Sequence, residues 1–221
     1  MSLAQYIDHT ILKNRTTVAQ VESVCVEATV NGFAAVCIPP SYVEQAVWFL
    51  EGIDVKIATV IGFPFGYHDK SVKAFEATKA LADGADELDV VVDIGSVKGH
   101  YWQILEDEVK ALTEVTTNRA VLKLIIESGI LTDEEIIKCC ELYSRYPVQF
   151  LKTSTGFGGD GASVHAVELM RNNLPPDIQI KASGGIRTKA FAEELIAAGA
   201  TRLGTSSGLS LVNGEAPLAG Y

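Results

Sequence analysis

Short runs of apolar and β-branched residues alternate along the chain with longer stretches in which apolar positions recur every three or four residues. The short runs predict strands at Tyr6–Thr10, Ala34–Ile38, Lys56–Ile61, Glu87–Val92, Val121–Ile126, Val148–Thr153, Ile178–Ser183 and Arg202–Thr205. The longer stretches predict helices at Val18–Asn31, Tyr42–Leu50, Ser71–Asp83, Trp102–Thr116, Asp133–Ser144, Val164–Asn172 and Lys189–Ala198. A helix between each pair of strands supplies the crossover that parallel strands need. Gly32, Gly84 and Gly199 stand where helices should stop, and Thr132 with Glu135 forms a capping pair before an apolar run. Three segments repeat the order helix end, glycine, strand: Asn31-Gly32-Phe33-Ala34, Asp83-Gly84-Ala85-Asp86 and Ala198-Gly199-Ala200-Thr201. Eight such units predict an α/β fold, a closed eight-stranded parallel (β/α) TIM barrel, compact for an architecture that typically takes about 250 residues. A doubly wound open sheet is the alternative. No linker or low-complexity stretch interrupts the pattern, so one domain over residues 1–221 is expected.

Composition narrows the function classes. Hydrophobic residues make up 48 % and charged residues 21 % of the chain, enough for one buried core. The net charge of -10 repels nucleic acid and anionic membrane, so an anionic ligand needs a local positive site. No apolar run approaches the roughly 20 residues of a membrane span. The first residues lack a basic stretch followed by an apolar one, so no secretory signal is expected. Cys25, Cys37, Cys139 and Cys140 form no Cys-x-x-Cys pair and read as reduced thiols of a cytoplasmic protein, Cys37 being a core residue or one that faces a ligand. His9, His68, His100 and His165 are scattered without metal-ligand spacing, so neither metal nor cofactor is expected.

Charges interrupt the strands where apolar side chains belong. Lys123, Lys152 and Lys181 sit inside strand runs, and Asp89 and Asp93 flank Val90-Val91-Val92. Lysine is almost never fully buried without a partner. Period-two alternation turns Lys152 and Lys181 inward while Leu151 and Ile180 face the helices. A self-neutralising ion network is one reading. The other is chemical: two ammonium groups about 5 Å apart at an effective dielectric near 20 repel by roughly 3 kcal/mol, or about 2 pKa units. Such repulsion keeps one amine neutral, and a neutral lysine is a nucleophile toward carbonyls. Asp89 could then move protons on and off the covalent intermediate.

Ser183-Gly184-Gly185-Ile186-Arg187-Thr188 and Gly204-Thr205-Ser206-Ser207-Gly208 follow the last two strands, where barrels often hold phosphate at glycine amides and a helix N-terminus. Turn glycines and capping serines are the plainer reading. Gly156-Phe157-Gly158-Gly159-Asp160-Gly161 fits Gly-x-Gly-x-x-Gly but follows the sixth strand and lacks the acidic residue ending a next strand. It reads as a flexible loop rather than a dinucleotide site.

Together, Ile7-Asp8-His9-Thr10, Gly62-Phe63-Pro64-Phe65-Gly66, Gly84-Ala85-Asp86-Glu87-Leu88-Asp89, Leu151-Lys152-Thr153-Ser154-Thr155-Gly156-Phe157, Lys181-Ala182-Ser183-Gly184-Gly185-Ile186-Arg187-Thr188 and Gly204-Thr205-Ser206-Ser207-Gly208 resemble the deoxyribose-phosphate aldolase family. The resemblance runs from the first strand to the last. It implies reversible cleavage of a phosphosugar, 2-deoxyribose 5-phosphate, to acetaldehyde and glyceraldehyde 3-phosphate, as in a class I aldolase. By position, Lys152 matches the Schiff-base lysine, Lys181 the lysine that lowers its pKa, and Asp89 the proton-relay carboxylate. Gly156, Gly184, Gly185, Ser206 and Ser207 match substrate and phosphate contacts. Phe157 stands where some members carry lysine, Asp93 where many carry an uncharged polar residue, and Tyr221 where some use a terminal tyrosine. A homodimer is open for the assembly. The rivals are a phosphosugar isomerase with Lys152 acting only through its charge, and a catalytically silent phosphosugar-binding barrel.

Overall fold

The computed structural model describes residues 2–214. Its strands are β1 (Ile7–Thr10), β2 (Ala35–Ile38), β3 (Lys56–Ile61), β4 (Glu87–Val91), β5 (Val121–Ile125), β6 (Phe150–Lys152), β7 (Gln179–Ser183) and β8 (Arg202–Thr205). Each pairs in parallel with its sequence neighbour, and β8 returns to β1, so the sheet closes into the expected barrel. The helices are α1 (Val18–Asn31), α2 (Val43–Phe49), α3 (Lys70–Ala82), α4 (Ile94–Lys98), α5 (Trp102–Thr116), α6 (Asp133–Tyr143), α7 (Val164–Asn173), α8 (Lys189–Ala197) and α9 (Gly208–Asn213).

Local chemistry explains the ends. Gly32 closes α1 in the left-handed region (φ 66°, ψ 42°), where a side chain would be strained. Thr132 and Glu135 form the capping box that opens α6. The strand expected over 148–153 is only Phe150–Lys152, because Val148 turns back to the Tyr146 carbonyl after Pro147. The helix expected from Tyr42 begins one residue later, after a 3₁₀ turn over Pro40–Tyr42. The short α4 was not anticipated. Asp93 caps it by accepting from the Ser96 amide (3.2 Å) and hydroxyl (2.7 Å), which accounts for Asp93 away from the catalytic lysine candidates.

Alternate strand residues face two environments. Val36, Leu88, Val90, Leu122, Leu124, Leu151, Ile180 and Leu203 are buried in one core between barrel and helices. The inward positions hold a small apolar cluster of Cys37, Ala58 and Val60, with Leu12 and Phe63 packed on it, and otherwise mostly charge. Outside the barrel, Lys73 of α3 donates to Glu108 of α5 (2.5 Å) and to the Val91 carbonyl (2.8 Å), tying two helices to the end of β4. No helix among the described residues is long and apolar enough to cross a membrane.

Candidate active site

In a parallel ladder, residues in register point to the same side. Asp89 pairs with Lys123 across β4 and β5, Lys152 with Lys181 across β6 and β7, and Lys181 with Arg202 across β7 and β8. The barrel therefore stacks these side chains in its interior. The two amines named from the sequence meet at a single atom. Lys152 Nζ and Lys181 Nζ each donate to Asp89 Oδ2 at 2.7 Å, so they lie no farther apart than twice that distance. Lys123 holds the other oxygen, Oδ1, at 2.8 Å. Lys181 also pairs with Asp8, which accepts from Arg202 at 2.6 Å, and Lys123 reaches Glu87 at 2.5 Å.

The network thus contains three carboxylates (Asp8, Glu87, Asp89) and four cationic side chains (Lys123, Lys152, Lys181, Arg202). Its electrostatics show which cation is in surplus. Burial alone would raise the Asp8 carboxyl, yet Lys181, Lys123 and Arg202 hold it at about 2. Asp89 is likewise held well below the usual carboxylate range, its burial outweighed by Lys123, Lys152 and Lys181. Burial would also lower Lys181, but Asp8 and Asp89 raise it; Lys123 is raised chiefly by Asp89 against the same burial. Lys152 goes the other way. Burial lowers it, Lys181 lowers it further, and Asp89 only partly opposes them. It is also 3 % exposed, whereas Lys123 and Lys181 are 0 % exposed, which makes it the amine with an opening to solvent. The sequence argument put lysine–lysine repulsion first; in the structure desolvation comes first and repulsion adds to it.

Hydrogen bonds stitch the loops above the amines. Thr153 Oγ1 donates to the Ser183 carbonyl (3.2 Å) and Ser183 Oγ to the Ser154 carbonyl (2.5 Å). Thr205 Oγ1 donates to the Ile186 carbonyl (2.7 Å), joining the loops after β7 and β8. Gly184 and Gly185 lie in the first of these at φ 87° and 77°. Gly156 abuts Gly184: a Cβ placed on Gly156 would stand 3.8 Å from the Gly184 Cα. Ser206 is exposed, and Ser207 stands at the N-cap position of α9 without a side-chain capping bond, its amide donating to Thr205 Oγ1 (2.9 Å). Phe157 packs edge-on against Phe63 at 5.3 Å between centroids. Tyr221 lies outside the described residues. Cys37 faces the interior beside the amines, and burial raises its thiol. His9 is buried outside the barrel and bonds Glu27 at 2.6 Å. Among the described residues no group of three or more His, Cys, Asp or Glu side chains is arranged to hold a metal ion. The surface concavities lined by Lys56, Asp86, Glu87 and Arg119, and by Val47, Trp48 and Ile53, include neither Lys152 nor Lys181. Chemistry, not the size of a cleft, marks the candidate site.

Sequence reasoning did not single out the roles of Asp8, Glu87 and Arg202. The signal was available: each is a charge on a strand at an inward position, the same cue that exposed the lysines. Glu127 was missed too. It follows β5 outside any regular element and carries no periodic cue.

Comparison with known proteins places this geometry among relatives. The model of the DeoC/LacD family aldolases matches residues 2–213. Deoxyribose-phosphate aldolase 1 of Bacillus licheniformis is 46 % identical over 212 residues, covering 96 % of this chain and 95 % of that protein. The deoxyribose-phosphate aldolase of Streptococcus uberis is 44 % identical over 221 residues, with 100 % of both chains covered. Among solved structures, the tetrameric deoxyribose phosphate aldolase of Aeropyrum pernix superposes with a TM-score of 0.89 at 32 % identity, over 96 % of this chain and 89 % of that one.

Proposed function

We propose that this chain, which belongs to the DeoC/LacD family of aldolases, cleaves 2-deoxy-D-ribose 5-phosphate reversibly to acetaldehyde and D-glyceraldehyde 3-phosphate through a Schiff base on Lys152. The observation that carries the reading is the meeting of the buried Lys152 and Lys181 amines on one Asp89 oxygen, each at 2.7 Å, where burial and Lys181 both push Lys152 down. With three carboxyl groups facing Lys123, Lys181 and Arg202, the network has no need of a fourth cation. A purely structural or electrostatic Lys152 leaves that surplus unexplained.

The chemistry follows from the geometry. Neutral Lys152 Nζ adds to the aldehyde carbon C1, and loss of water gives an iminium. Removal of the C3 hydroxyl proton then breaks the C2–C3 bond. Its electrons flow into the iminium to leave an enamine, and glyceraldehyde 3-phosphate departs. A proton returned to C2 and hydrolysis release acetaldehyde and the free amine. Asp89, bonded to both amines, and Lys181, bonded to the same Asp89 oxygen as Lys152, are the groups to ferry these protons. No group beyond protein side chains and water takes part. Gly156, Gly184, Gly185, Ser206 and Ser207 bind the phosphate end.

Trapping with acetaldehyde and borohydride tests the proposal: a reduced adduct should map to the peptide carrying Lys152. No adduct, or one on another lysine, overturns it. Asp89→Asn should still be trapped, because losing the carboxylate removes the main influence that raises Lys152. Exchange of acetaldehyde methyl protons with deuterated water should slow by about 100-fold in this variant, in the usual range for a lost acid–base group; unchanged exchange removes Asp89 from the relay. Ser207→Asp should disfavour phosphorylated substrate over unphosphorylated deoxyribose by roughly 10- to 100-fold, since only the former carries an anion to meet the new charge. Equal losses for both substrates would place the phosphate elsewhere.

The reading also takes residues 1–221 as one catalytic domain in the cytoplasm, assembled as a homodimer. The four cysteines are free and buried, and burial raises Cys25 and Cys140 to about 12, which suits thiols that stay reduced. Exposed Trp48, Tyr67 and Phe75 offer apolar surface for a second copy to cover.

A further inference from the structure

We propose that Glu127 is a positioning residue, whose carboxylate holds the glycine loop 156–161 over the barrel mouth so that Gly156 can meet the phosphorylated end of the substrate; this rests on the aldolase reading above. Glu127 directly follows the strand run over 121–126 and adopts a left-handed backbone, φ 53° and ψ 55°. His100 and Asn118 are the other non-glycine residues with positive φ among those described, and both are exposed, whereas Glu127 is buried. A buried side chain on such a backbone is kept there by what it contacts.

Its contacts all lead to one loop. The Thr155 amide donates to both carboxylate oxygens at 3.2 Å, and Thr155 Oγ1 donates to Oε2 at 2.5 Å. Thr155 Oγ1 in turn accepts from the Phe157 amide at 3.0 Å. One carboxylate therefore fixes Thr155 directly and, through its hydroxyl, Phe157, which packs against Phe63. Beyond Phe157 the loop lies along the turn over Ser128–Ile130, itself anchored by the Ser128 amide on the Thr153 carbonyl at 2.7 Å. The approach is close enough to require glycine. A Cβ on Gly158 would stand 2.9 Å from Glu127 Oε2, one on Gly159 2.7 Å from Ile130 Cγ2, and one on Gly161 would strike the Gly184 carbonyl. Of the motif glycines, Gly158 thus meets Glu127, Gly161 meets the Gly184 loop, and Gly156 takes a left-handed backbone at φ 83°.

Lys152 and Lys181 both bond Asp89, while the Glu127 carboxylate bonds Thr155. Imine chemistry on a substrate without a phosphate should therefore be insensitive to Glu127, while capture of the phosphosugar should depend on it. In Glu127→Ala, exchange of acetaldehyde methyl protons with deuterated water is expected within about twofold of wild type. Cleavage efficiency on 2-deoxyribose 5-phosphate should fall at least tenfold, mostly as a higher KM. Thr155→Val should give the same pattern, and the double variant should be no worse than either single one, because both cut one linkage. Glu127→Gln, which keeps one acceptor oxygen, should recover part of the loss. Equal losses in exchange and cleavage, unchanged cleavage, or additive effects in the double variant would each overturn the assignment. A wild-type protein that shows no exchange would instead overturn the aldolase reading beneath it.

Discussion

Lys152→Ala is expected to abolish retro-aldol turnover and borohydride-trapped adduct together. The loss should be on the order of 10⁵-fold, as for removal of a covalent nucleophile whose neighbours act only through it. Neither buried neighbour can substitute. Lys181 is fixed between Asp8 and Asp89 and Lys123 between Glu87 and Asp89, and both are raised well into the ammonium form. The fold should survive, because the variant leaves three carboxylates facing Lys123, Lys181 and Arg202, a balanced set. A thermal melt near that of wild type would confirm that the lost activity is chemical. Retention of more than about a thousandth of wild-type turnover by a clean, folded sample would sink the assignment.

Lys181→Leu should lower the rate near pH 7 by roughly 100-fold and move the acidic limb of the pH–rate profile upward. The sign follows from the charges. Lys181 is a cation that helps hold the Lys152 amine below its ordinary range. Removing it stabilises the protonated form of Lys152, so a higher pH is needed for the neutral nucleophile. Two charges about 5 Å apart at an effective dielectric near 20 interact by roughly 3 kcal/mol, which is about 2 pKa units. Because burial is the first cause of the lowering, some depression should remain after the substitution. The carboxylates are not stranded: Asp8 keeps Arg202 at 2.6 Å, and Asp89 keeps Lys123 at 2.8 Å. An acidic limb that stays in place in a folded Lys181→Leu protein would show that Lys181 does not tune the nucleophile.

What could be read in advance follows the length and regularity of each element. Lys56–Ile61, Arg202–Thr205, Val18–Asn31 and Trp102–Thr116 match their expected bounds because each is long or sharply punctuated. The helices over Ile94–Lys98 and Gly208–Asn213 are too short to display a period, and side-chain capping by Asp93 is not a periodic signal. The reactive cluster was legible because a lysine on a buried strand violates the apolar rule. Its organisation was not. That Asp89 would serve three lysines depends on strand register, which fixes who lies beside whom only after the ring is built. Lys73 with Glu108, and Glu127 with Thr155, hid for the same reason: their partners are 35 and 28 residues away. Each looks like an ordinary surface charge until its partner is in view.

The closed ring has a consequence for how this protein comes into being. Asp8 lies on the first strand, and its partners Lys181 and Arg202 are 173 and 194 residues downstream, on the last two. As the chain leaves the ribosome, Lys152 and Asp89 exist well before the eighth strand does. Until β8 docks against β1, Asp8 lacks Arg202, and Lys181 has only Asp89 as a carboxylate partner held in register. A seven-stranded intermediate thus carries the three proposed catalytic residues in an unclosed ring, without the full burial that is the first cause of the lowered Lys152 amine. The lowering of the Lys152 amine is therefore tied to closure of the ring by the final strand.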